Sequence, residues 1–76
     1  MITVRVDITN KDKRVGAMVK ALAVQVAGFR AVTGTTNEFL QSHGYYKFHF
    51  SNANQEKFFR ETVSKYINKN LAAVVD

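Results

Sequence analysis

The strongest constraint on this chain is the strict alternation of its first segment, in which apolar Ile2, Val4, Val6 and Ile8 are separated by polar Thr3, Arg5 and Asp7. Successive side chains of a strand point to opposite faces, so this pattern is a strand with one face buried and one wet. The alternation returns at Tyr45–Phe50, where Tyr46, Phe48 and Phe50 share one face and Tyr45, Lys47 and His49 the other. Two such strands imply a sheet covered on one side only, and amphipathic helices are the natural cover. The all-aromatic face is the expected core.

Helical spacing supplies that cover. Val15, Met18, Val19, Leu22 and Val26 recur with a period near 3.6 behind the capping candidates Thr9, Asn10 and Asp12. They predict a helix over Lys11–Ala27, stopped by Gly28. Asn52 with Gln55 three residues on reads as a capping box for a second helix. Its apolar stripe is Phe59, Val63, Tyr66 and Ile67, with Lys57, Arg60, Glu61 and Lys65 on the solvated sides and a stop at Asn68–Asn70. Between the helices, Phe29–Thr33 reads as extended and Gly34 as a bulge or bend. Phe39–Leu40 either extends that strand or sits in a loop, and Ser42–Gly44 reads as a tight hairpin turn. Leu71–Val75 reads as a last strand.

The resulting order, βαββαβ, predicts an α+β chain: a ferredoxin-like sandwich with a four-stranded antiparallel sheet and two helices on one face. The first and third strands would be central. With 76 residues and neither linker nor repeat, the whole chain, 1–76, is expected to form a single domain.

Charge and residue types then limit function. There is no Cys, and His43 and His49 are the only imidazoles. No metal-ligand spacing joins either His to Asp12, Glu38, Glu56 or Glu61, so no metal or cofactor is expected. A nucleophile-elbow motif is lacking, and Gly16, Gly28, Gly34 and Gly44 are too dispersed for a phosphate-binding loop. The expectation is a non-enzymatic binding protein. The charged first strand is unlike a signal peptide, and Ala21–Gly28 is too short to span a bilayer. A cytoplasmic location without membrane contact is expected.

Two families share the predicted strand order. The acylphosphatases bind phosphate in the loop after the first strand, but Thr9–Arg14 lacks their glycines, so the resemblance implies the fold alone. His43–Phe50 resembles the third-strand signature of RNA-recognition motifs at Gly44, Tyr45 and Phe50, and departs from it at Tyr46 and Lys47. That resemblance implies one stacking aromatic, Tyr45, where the family uses more.

Eleven Lys and Arg against six Asp and Glu, a net charge of +5, point to a polyanion as partner. The expected nucleic-acid contacts are Arg5, Tyr45, Lys47 and His49 on the open sheet face. Lys11, Lys13 and Arg14 at the start of the first helix would assist, with Lys20 nearby. An anion could also be held there by free helix N–H groups, which keeps a sensor of anionic metabolites among the alternatives. The main alternative is a protein-interaction module: a homodimer through the open sheet or its edges, or a small regulatory factor that docks on a larger machine. Ala17, Ala21 and Val24 on the outer side of the first helix, and Phe39–Leu40 in a loop, would be its apolar contacts.

Overall fold

A computed structural model describes residues 1–75. The first strand, β1, spans Ile2–Ile8, and a 3-10 turn at Thr9–Lys11 leads into α1, Lys13–Ala27. A second 3-10 turn, Phe29–Val32, precedes α2, Asn37–His43. Then follow β2, Tyr45–Phe50, α3, Ala53–Tyr66, and β3, Ala72–Val75.

The sheet has three strands in the order β2-β1-β3, both neighbours antiparallel to β1. This overturns the expected four-stranded ferredoxin-like sandwich: the segment assigned to its second strand is helical, giving three helices rather than two. As a result β1 alone is central and Tyr45–Phe50 lies at an edge.

The local reasons are specific. Thr36 caps α2, its hydroxyl accepting the Phe39 N–H at 3.1 Å. Gly44 ends it in the left-handed region at φ +81°, its N–H donating to the Leu40 carbonyl at 2.8 Å. Ser42–Gly44 is thus the end of a helix and not a hairpin turn. Gly28 and Gly34, both at positive φ, bracket the 3-10 turn where a strand with a bulge was expected. The Thr35 hydroxyl donates to the Val32 carbonyl at 2.6 Å, and Lys20 Nζ reaches from α1 to the Thr35 carbonyl at 2.9 Å. This bent segment buries Ala31 and Leu40, so Leu40 is core and Phe39 half-buried, not an exposed apolar pair.

The core lies between the sheet and the helices. Val4, Val6, Ile8, Tyr46, Phe48 and Phe50 form its floor, and Val15, Val19, Ala23, Leu40, Phe59 and Val63 its roof. Phe59 is the keystone, its ring centroid 5.2 Å from Phe48 and 4.9 Å from Phe50. Helix α1 packs closely at Gly16, where a Cβ would meet the Tyr46 ring at 3.1 Å and Leu40 at 3.2 Å. Two residues placed on the apolar stripes face outward, Met18 and Tyr66, and Ala23 takes the inward position on α1. Helix α1 begins two residues later than expected because Asp12 is its N-cap. No helix among the described residues is long and apolar enough to cross a membrane.

Candidate functional site

Because all three helices cover one face of the sheet, the side chains of Thr3, Arg5, Asp7, Tyr45, Lys47, His49, Ala73 and Val75 make up the other. Strand register sets their order. Thr3 lies opposite His49, Arg5 opposite Lys47 and Val75, and Asp7 opposite Tyr45 and Ala73. Four of the expected contacts, Arg5, Tyr45, Lys47 and His49, therefore do share one surface.

Their geometry gives Tyr45 a different part from the one expected. The Arg5 guanidinium carbon sits 3.9 Å from the Tyr45 ring centroid, and Arg5 Nε donates to Asp7 Oδ1 at 2.8 Å. Lys47 Nζ stands 5.9 Å from the same ring. Phe39 and His43, stacked on each other at 4.1 Å, meet Tyr45 at 5.5 and 5.6 Å in edge-on contacts. Tyr45 is thus a pedestal for Arg5 rather than a bare stacking surface. The cation–π contact and the half-exposed ion pair are each worth only about 0.5–1 kcal/mol. Together they hold the guanidinium over the ring.

Phe39 and His43 had no place in the expected site. The signal was present in the Thr36 cap and in Gly44, which bound a seven-residue helix ending beside Tyr45. At the other end of the face, the Thr3 hydroxyl and His49 Nδ1 lie 3.2 Å apart. His49 also lines a shallow cleft of about 330 Å³ with Met1, Arg30 and Thr33. Arg30 was overlooked because its segment was assigned to a strand.

The second basic group divides. Asn10 and Lys11 both adopt left-handed backbone, at φ 59° and 53°. Such a conformation at a lysine costs about 1–3 kcal/mol and needs outside support. Gln41 supplies part of it, its Nε2 donating to the Lys11 carbonyl at 3.1 Å. The Lys11 side chain passes 3.9 Å from where a Gly44 Cβ would be, beside the residue that precedes Tyr45. Lys13 and Arg14 open α1. There the Asp12 carboxylate accepts the Arg14 and Val15 N–H groups at 2.8 and 3.4 Å, occupying donors that an anion would use. Lys20 is drawn away to the Thr35 carbonyl.

Two of the acids away from the open face are already engaged. Glu56 pairs with Arg60 at 3.0 Å, and Asp12 is a cap. Among the described residues no three His, Cys, Asp or Glu side chains form a metal-binding group. Burial raises the Tyr46 phenol above its ordinary value of 10.0, and that side chain faces the core. Comparison with known protein families, with individual characterised proteins and with solved structures finds no match to this chain.

Proposed function

We propose that the chain is a binding protein, not an enzyme, that takes single-stranded nucleic acid on the uncovered face of its sheet. One observation carries this reading: the Arg5 guanidinium held over the Tyr45 ring, its carbon 3.9 Å from the centroid, with Lys47 beside the same ring. A guanidinium plane is a surface on which an unpaired base can stack. Lys47 on that surface, with Lys11, Lys13 and Arg14 around the start of α1, neutralises phosphates. Asp7 and Asp12 are each committed, to Arg5 and to the α1 N-terminus respectively. His49 marks the far end of the track, where Arg30 adds a further cation.

Fluorescence anisotropy with single-stranded oligonucleotides, titrated across salt, tests this. Affinity is expected to fall with salt by a logarithmic slope of about 0.7 per phosphate neutralised. Lys47→Ala should reduce that slope by about 0.7, whereas Arg5→Lys, which keeps the charge but not the plane, should weaken binding and leave the slope alone. Absence of salt-dependent binding to any single- or double-stranded DNA or RNA at micromolar protein would overturn the reading.

A further inference from the structure

The two edges of the sheet are protected unequally. The hydrogen bonds around β1 show which backbone groups each edge leaves over. Ile8 N–H donates to the Gly44 carbonyl, so β1 turns the backbone groups of its even-numbered residues toward β2. Thr9 N–H donates to the Leu71 carbonyl, so in β3 it is Ala73 and Val75 that face β1. Ala72 and Val74 therefore point their backbone groups outward. Ala72 N–H is satisfied by the Asn68 carbonyl at 3.2 Å. Among the described residues no further strand pairs with the Val74 N–H and carbonyl or the Ala72 carbonyl.

Natural edges are blunted by charges, prolines, bulges or a covering element. Along β2, Lys47 and His49 occupy the strand, and the 3-10 turn Phe29–Val32 packs against it. Ala72–Val75 has no charge and no proline, and its pairing with β1 is unbroken by a bulge. Beside it lies a groove of about 390 Å³ between β3 and the end of α3, with Val63, Ile67 and Val74 among its apolar lining.

We propose that this edge pairs with β3 of a second copy, antiparallel and with Val74 opposite Val74 across a two-fold axis. That register lets each Val74 N–H donate to the other Val74 carbonyl, so the surface is its own complement, as a two-fold interface requires. Charge selects a second copy at this place. A chain of net charge +5 repels itself over most of its surface. Here the strand is uncharged, and Arg60, lining the groove, is paired with Glu56. Lys69, the remaining cation of the groove, precedes Val74 by five residues. The two copies of Lys69 thus stand at opposite ends of the pairing, more than a Debye length of about 8–10 Å apart. The two-fold axis is perpendicular to the sheet, so the product is a six-stranded sheet with both uncovered faces on the same side.

A four-residue strand buries less than the roughly 1,000 Å² of a stable interface, so the dimer is weak, with a dissociation constant of about 0.1–1 mM. Sedimentation equilibrium from micromolar to millimolar protein should show the mass climbing from 8.6 kDa toward twice that value. Val74→Pro removes the outward N–H without touching the β1–β3 ladder and should hold the chain at monomer mass, while Val74→Thr keeps the N–H and should still associate. Hydrogen exchange of the wild-type protein needs no variant: the Val74 amide should become more protected as concentration rises, with core amides unchanged. A constant 8.6 kDa mass up to millimolar protein, or a Val74 amide whose exchange ignores concentration, would overturn the proposal. So would a dimer that survives Val74→Pro. Each of these readouts is taken without nucleic acid, so the outcome is separate from that of the binding assay.

Discussion

The two faces of the sheet are built from the same three strands and do opposite jobs. On the covered face Tyr46, Phe48 and Phe50 are essentially sealed from solvent and packed around Phe59. On the uncovered face, one residue along each strand, Arg5, Tyr45, Lys47 and His49 meet one another, short polar neighbours and, at Tyr45, the edges of Phe39 and His43. The difference teaches where free energy is stored. Apolar burial acts in bulk on the first face, while the second is held by contacts of a fraction of a kcal/mol and is free to exchange them for a ligand.

The contrast is broken most severely from the core side. Phe48→Ala should lower unfolding free energy by about 3–5 kcal/mol, a large part of the roughly 4–11 kcal/mol expected of a chain this size. Urea denaturation measures it, and a loss under about 1 kcal/mol would mean that the covered face is not the core. Leu40→Ala should cost about 2–5 kcal/mol. The same measurement asks whether α2 belongs to the core side, since an exposed leucine there would cost almost nothing.

Alkaline pH acts on the covered face through Tyr46. The neutral Tyr46 phenol is favoured by burial, so its folded value lies above that of the unfolded chain. Its contribution is complete below about pH 10 and is lost as pH rises from there through the folded value. Thermal melts should show stability falling above pH 10, with a smaller fall in Tyr46→Phe. The smallest effect belongs to the open face. Lys47→Ala should change stability by no more than about 0.5 kcal/mol while changing the salt dependence of binding, and a large stability loss would show that the two faces are not independent.

Much of the fold was legible because its signals are local and periodic. Alternation located β1 and β2, caps and apolar spacing located α1 and α3, and Asn52 does accept the Gln55 N–H at 2.9 Å. The segment 29–44 was not legible by the same means. A short apolar run such as Phe39–Leu40 suits a strand or a helix equally, and only length and flanking caps arbitrate. Thr36 and Gly44 were those caps, but a glycine after Ser42–His43 is as natural in a hairpin as at a helix end. At the site, shared faces could be read from period two, so Arg5, Tyr45, Lys47 and His49 were grouped correctly.

By itself, the sequence determined which side of each strand is wet, the basic character of that side and the positions of the two long helices. These follow from side-chain type and spacing, which act over a few residues. Only the tertiary structure decided that the sheet of the described residues has three strands, that Arg5 lies over Tyr45, and that Val74 turns its N–H and carbonyl away from β1. Each of these depends on register between segments tens of residues apart. Register is set by packing and by the parity of a hydrogen-bond ladder, and neither is written in any local stretch of the chain.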